Sequence, residues 1–169
     1  MYAQAAVLPF ILIERVGLTP TQFGMSMLMQ SGFFLMGSVC LRVISRWLPA
    51  ERAPLVGLVL SGSGGLIMAL SVHYLPPSFL SVMGPVAMCA FGIAFVSPYM
   101  TAAGLIPFPH IAGSASAMMG FIQMGAGFVG GVAAASIGAP LPAFGIIIPT
   151  MHFIAVLGYI GFRIASRRA

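Results

Sequence analysis

Charge is almost absent from this chain. Of 169 residues only 5% are charged, with two acidic side chains, no Lys and no Asp, while 60% are hydrophobic. A soluble domain of this length carries charge on roughly a quarter of its residues, so that class is excluded. Catalytic patterns are missing too. No HExxH, GxSxG, P-loop or CxxC spacing occurs, and His73, His110 and His152 lie about forty residues apart in the sequence. Glu14 and Glu51 fall near expected membrane surfaces and form no buried acid–base dyad, so no catalytic residue is expected and the chain reads as non-enzymatic. The two cysteines, Cys40 and Cys89, both fall inside apolar runs. They read as small packing residues, not as a disulfide or metal pair, and no metal or cofactor is expected. The net charge of +5 comes without a basic face interleaved with aromatics, which excludes nucleic acid as a partner.

What is present is a series of apolar runs. Crossing the roughly 30 Å of bilayer hydrocarbon takes about 20 helical residues. Five runs reach that length: about 22–44, 54–74, 79–104, 112–136 and 143–163. The breaks between them carry Pro49, Pro76-Pro77, Pro107-Phe108-Pro109 and Pro140-Leu141-Pro142. Runs this long must satisfy their own backbone hydrogen bonds in lipid, so they are helices. The fold class expected is an all-α integral membrane bundle, one domain over residues 1–169. A shorter run, 3–13, precedes these and counts as the first of six in chain order; it is too short to span and ends at Glu14-Arg15. With no basic stretch before it and no cleavage site after it, it reads as the outer half of a helix whose inner half is absent rather than as a signal peptide, with an interfacial or re-entrant segment as the alternative.

Arginine gives direction. Arg42, Arg46 and Arg52 flank one loop, and Arg163, Arg167 and Arg168 follow the last run. Four spans separate these clusters, an even number, so both fall on one face, and the positive-inside bias makes that face and the C-terminus cytoplasmic.

Glycine is the second signal, with 21 copies. Gly113, Ser116, Gly120, Gly127, Gly131, Ala134 and Gly138 recur along the fifth run, and Gly57, Ser61 and Gly65 along the third. Gly24, Ser31 and Ser38 echo the pattern in the second. Such stripes let helix backbones approach closely in lipid. They suit a static packed bundle and a sliding interface equally. Pro9, Pro85, Pro98 and Pro149 lie inside runs and kink them. The central polar candidates are neutral: Gln30, Gln123 and Gln4. Met88, Phe91, Phe95 and Tyr99 share one face of the fourth run, and Phe33 and Phe34 sit near Gln30. That face packs against lipid or core, or it lines a cavity with the amides. Such a cavity would suit a small hydrophobic drug-like substrate, with 13 methionines allowing adaptable contacts.

The stretch Pro107-Phe108-Pro109-His110-Ile111-Ala112-Gly113-Ser114-Ala115-Ser116-Ala117, continuing through Gly120-Phe121-Ile122-Gln123, resembles the start of the eleventh helix of major facilitator drug exporters. The nearest likeness is to the Bcr/CflA-type multidrug resistance group. Pro9 to Glu14 and Gly17 to Gly24 resemble the end of that fold's seventh helix and the entry to its eighth. Gly37 to Arg46 resembles the second-half echo of the superfamily's loop motif, without the acidic residue of its first-half version.

The resemblance implies helices seven to twelve, with seven truncated, in the inner membrane of a bacterium. It implies as partners a missing N-terminal six-helix half, membrane lipid, protons and a hydrophobic substrate, in a drug:proton antiporter whose halves rock about a central site. It adds weight to Phe91, Phe95 and Tyr99 as ligand contacts and gives the Gly113–Gly138 stripe a sliding-interface role. It assigns the protonatable coupling groups mostly to the absent half. Two rivals stand beside it: half of a sugar or organic-acid transporter, expected to carry a charged or amide-rich patch mid-membrane, and a non-transporting membrane scaffold, expected to bury the glycine stripe among these helices.

Overall fold

The computed structural model describes residues 2–47, 49 and 52–166. Every regular element among them is helical. Helix α1 covers Tyr2–Pro9 and continues as a π-helical turn over Phe10–Arg15. It is followed by α2 (Pro20–Ile44), α3 (Ala53–Tyr74), α4 (Phe79–Leu105), a 3-10 turn at Pro109–Ile111, α5 (Ala112–Ser136) and α6 (Pro140–Ser166). Five helices are long and apolar enough to cross a membrane, and the chain is accordingly a helical membrane protein.

Local chemistry explains where the elements start and stop. Pro9 has no N–H to offer its preceding turn, and from Phe10 the helix widens to the looser π pattern. Val16 N–H donates to Ile11 O at 3.0 Å and Leu18 N–H to Leu12 O at 2.9 Å. Gly17, at φ +80°, then turns the chain out of the helix in a conformation that favours glycine. Thr19 opens α2 with a capping box: its hydroxyl accepts from Gln22 N–H at 3.3 Å, and Gln22 Oε1 accepts from Thr19 N–H at 2.9 Å. Pro20 fits the first helical position, where no N–H is needed. Ser78 and Ser81 cap α4 in the same reciprocal way, at 3.2 and 2.9 Å.

Between α5 and α6 the expected break shifts. Gly138 makes the turn at φ +69°, and Pro140 begins α6 three residues ahead of the expected start at Ala143. Both prolines of the Pro140-Leu141-Pro142 run sit in the first turn, whose N–H groups have no partner inside the helix in any case. Pro85 and Pro98 lie inside α4 and Pro149 inside α6.

The best-covered element is α4, wedged between α3 and α2. Its seam with α3 is a contact of backbones. A Cβ added at Gly57 would lie 2.6 Å from Gly92 O, one at Gly92 would lie 2.5 Å from Ser61 N, and one at Gly64 would lie 2.9 Å from Cys89 Sγ. Gly37 makes the matching approach from α2, 2.6 Å from Phe91 O. Without these glycines the helices would stand farther apart and lose the dispersion contact that holds helices together in lipid. The Cys89 thiol is buried and donates weakly to Ser61 O at 3.5 Å. That is the packing role expected of it. The stripe read as Gly57, Ser61 and Gly65 divides: Gly57, Ser61 and Gly64 face α4, whereas Gly65 faces His152 and Pro149 of α6.

A second core joins the other elements. Val7 and Leu8 of α1 and Ile11 and Leu12 of the π turn pack with Met68, Val82, Met83 and Val86 of α3 and α4, and with Phe144 and Ile148 of α6. The short first element is thereby anchored as firmly as the long ones, since Ile11 and Leu12 are wholly buried.

Candidate functional site

The aromatic face of α4 sits at the centre of this architecture. Phe91 and Phe95 are one turn apart with ring centroids 5.6 Å from each other and planes tilted by 36°. Phe95 is 1% exposed. Its Cβ would stand 2.7 Å from a Cβ on Gly57, so it fills the α3–α4 seam rather than a cavity wall. Phe91, Tyr99 and Met88 are each half-buried. The face is thus neither wholly sunk in the core nor wholly turned to lipid.

The polar residues expected to converge on that face do not gather there. Gln30 is half-buried on α2 and Gln123 is exposed on α5. Of the expected cavity set, only Met88 borders a described cleft: an open, apolar groove of about 390 Å³ between α3 and α4. Ile67, Leu75, Leu80 and Pro85 form much of its wall, and Ser71 and Ser81 supply hydroxyls near the helix ends. A separate cleft of about 290 Å³ runs between the starts of α2 and α4, past Gln22, Ser26 and Phe79. Gln4, by contrast, is 1% exposed, and neither its Nε2 nor its Oε1 has a hydrogen-bond partner.

The first half of the stripe on α5 stands open. A Cβ added at Gly113, Gly120 or Gly125 would meet nothing within 4 Å. Gly113 and Ser116 are exposed, and Gly120, Gly127 and Gly131 are partly so. Only Gly130 and Ala134 on this helix are buried, and α5 packs against α1 and α6. The same openness marks α2, where Gly24 and Gly32 have no neighbour within 4 Å. Only 6% of the most apolar stretch of α2 is buried and 17% of that of α5, against 56% for α4. Two long helices therefore present small residues, Gly24 and Gly32 on α2 and Gly113, Gly120 and Gly125 on α5, that nothing among the described residues covers.

Arg42 and Arg46 are exposed at and beyond the end of α2, and Arg52 is exposed at the start of α3. Arg163 lies in the last turn of α6. Arg167, Arg168 and Glu51 lie outside the described residues. With short turns reversing the chain between α2 and α6, the ends bearing Arg42, Arg52 and Arg163 share one side of the bundle.

Sequence reasoning weighs His152 only against catalytic patterns and leaves it out of the central polar residues. It sits in the middle of α6, and its Nδ1 is 2.8 Å from Ile148 O while its Nε2 is buried with no partner. Its signal was a histidine at the centre of an apolar run, where ionisable groups are rare. Among the described residues no cluster of three or more His, Cys, Asp or Glu could hold a metal ion. Comparison with protein-family models, with curated proteins and with solved structures finds no match for this chain.

Proposed function

We propose that this chain forms helices seven to twelve of a proton-coupled exporter of hydrophobic drugs or metabolites, of the Bcr/CflA-type branch of the major facilitator superfamily. The observation that carries the reading is the uncovered first half of the small-residue face of α5, from Gly113 to Gly125. In a self-contained scaffold that stripe would be spent on packing among these helices, yet Gly113, Gly120 and Gly125 have open space beside them. A face of glycine, serine and alanine exposed by a membrane helix suits the close approach of another helix and offers little to lipid chains. In a transporter built of two rocking bundles, such faces are where one bundle slides on the other.

Substrate then enters between the bundles, and the half-buried Phe91, Tyr99 and Met88 supply the wall contributed by this one. Apolar aromatic and thioether surface favours bulky, weakly polar compounds. Gln30 and Gln123 stand on the two open helices, where the opposing bundle would meet them. Phe95 supports the wall from behind by fixing Phe91 from one turn away. The lack of charge at the centre of any long helix disfavours a sugar or organic-acid carrier, which would need stronger polar recognition.

The test is reconstitution into proteoliposomes of the chain with and without the first six-helix half of a Bcr/CflA-type exporter. Drug efflux driven by an imposed proton gradient is expected only with both parts present. Efflux by the chain alone, or none in a complex that demonstrably assembles, would contradict the proposal.

A further inference from the structure

The buried serines of this bundle are not all satisfied alike. Ser26 and Ser61 donate their hydroxyls to carbonyls one turn back, Phe23 O at 2.6 Å and Leu58 O at 3.4 Å. Ser71 is 7% exposed, yet its hydroxyl makes no such bond. A buried hydroxyl left unpaired is costly, and within a membrane no bulk water relieves it.

Ser71 borders the open groove of about 390 Å³ between α3 and α4. Across the seam stands Ser81, which borders the same groove and, with Ser71, a small void beside Val72 and Leu141. The Ser81 hydroxyl is already engaged: it accepts from Ser78 N–H at 2.9 Å and donates to Pro76 O at 3.1 Å. Its carbonyl is not. The helical partner of Ser81 O would be the N–H four residues on, and that residue is Pro85, which has none. Helix carbonyls point along the axis to the next turn, here toward Gly84 and Pro85, both on the groove wall. A Cβ added at Gly84 would meet nothing within 4 Å, so no side chain covers this stretch. One unsatisfied hydroxyl and one unsatisfied carbonyl thus stand at the same end of the groove.

The rest of the groove is apolar. Ile67, Leu75, Leu80 and Met88 carry it from the α3–α4 turn into the membrane. Counted from Phe79 at the start of α4, Met88 lies roughly 14 Å deep at 1.5 Å per residue. That is close to half of the bilayer's hydrocarbon of about 30 Å. The groove therefore runs the depth of one leaflet. It is the leaflet away from the arginines, since Arg52 begins α3 and the turn follows its far end. Ile67 and Leu80 are exposed, so the groove opens sideways to lipid.

We propose that this groove binds a neutral single-chain amphiphile with a hydroxyl head, of the monoacylglycerol class, taken from that leaflet. The chain lies along the apolar wall, and a head hydroxyl donates to Ser81 O while accepting from the Ser71 hydroxyl. An alcohol can do both at once. Ester and phosphodiester oxygens only accept and would leave Ser81 O unpaired. No charged side chain lines the groove, so an anionic head would find nothing to offset its desolvation. The volume lies near the lower limit for ligand clefts, which suits one chain and not two. The site shares Met88 with the face assigned to substrate above, but it rests on the membrane placement and not on the exporter reading.

The experiment is photo-crosslinking of the full chain in phosphatidylcholine liposomes with a monoacylglycerol that carries a diazirine in its chain. Labelled residues are mapped by mass spectrometry, and the label is competed with unlabelled monooleoylglycerol, methyl oleate or dioleoylphosphatidylglycerol. Label is expected to concentrate at Ile67, Leu75, Leu80 and Met88. Monooleoylglycerol should displace it at about tenfold lower mole fraction than either competitor, the effect of one to two hydrogen bonds. Gly84→Leu, which projects a side chain into the open space, should abolish the label. Ser71→Ala should keep the label but cut the advantage of monooleoylglycerol about threefold, the effect of one hydrogen bond. Because label persists in Ser71→Ala, that change reports recognition and not loss of fold. The site is overturned by label spread evenly over the exposed residues of all helices, by label that survives Gly84→Leu, or by an unchanged advantage in Ser71→Ala. Equal displacement by methyl oleate, or better displacement by the anionic lipid, would overturn the neutral hydroxyl head. Efflux does not enter the readout, so failure here and failure of the exporter reading are separate observations.

Discussion

At the scale of single residues, glycines do two opposite things here. Gly57 and Gly92 are places where the backbones of α3 and α4 touch, and a methyl group at either would meet backbone atoms at 2.5–2.6 Å. Gly57→Ala and Gly92→Ala are each expected to cost about 1–3 kcal/mol through overpacking, measured by unfolding of the detergent-solubilised chain. Gly113→Ala and Gly120→Ala, with nothing beside them, are expected to change stability of the chain alone by less than about 0.5 kcal/mol. Their effect should appear only once a second bundle is present, as weaker assembly or slower efflux.

That contrast was not legible in the sequence. The spacing Gly57, Ser61, Gly65 reads as one stripe, yet the seam uses Gly64 and turns Gly65 toward α6, because successive small residues on a helix drift across the face that a crossing partner can reach. Nor does an aromatic row announce which way it faces. Phe91 and Phe95 share a face by spacing, but Phe95 is sealed against α3 while Phe91 remains half-buried. His152 was weighed against catalytic patterns, where it matches nothing; its unpaired Nε2 is a property of packing that a sequence does not show.

At the scale of elements, the sequence was far more informative. Long apolar runs divided by proline fix the existence and type of α2 to α6 because lipid leaves a chain of that composition no alternative to helix. Their ends follow from capping chemistry. Thr19, whose hydroxyl and backbone N–H both bond to Gln22, should matter to α2: Thr19→Ala is expected to cost about 1 kcal/mol, visible as faster hydrogen exchange in its first turn in detergent. The start of α6 came out differently, since a pair of prolines punctuates a sequence equally well as a loop or as a first turn, and Gly138 ahead of them takes over the turning. The π turn after Pro9 carries no signature in spacing. It is the response of one helix to a missing N–H while Ile11 and Leu12 remain locked in the core.

At the scale of the whole molecule, one bundle wraps a well-covered α4 and leaves α2 and α5 largely bare. The coverage is what gives the assembly a direction: a buried core on one side, small-residue faces on the other, and arginines at one end. The central claim is that α2 to α6 cross a bilayer in five passes with both arginine clusters on one side and the turn between α3 and α4 on the other. Single cysteines at Arg46, Arg168 and Pro76, in a chain with Cys40 and Cys89 replaced by alanine, allow this to be read with a membrane-impermeant maleimide on intact cells and on inverted vesicles. Arg46→Cys and Arg168→Cys should react only in inverted vesicles, and Pro76→Cys only in intact cells. Labelling of the two arginine positions from opposite sides of the membrane would contradict the account.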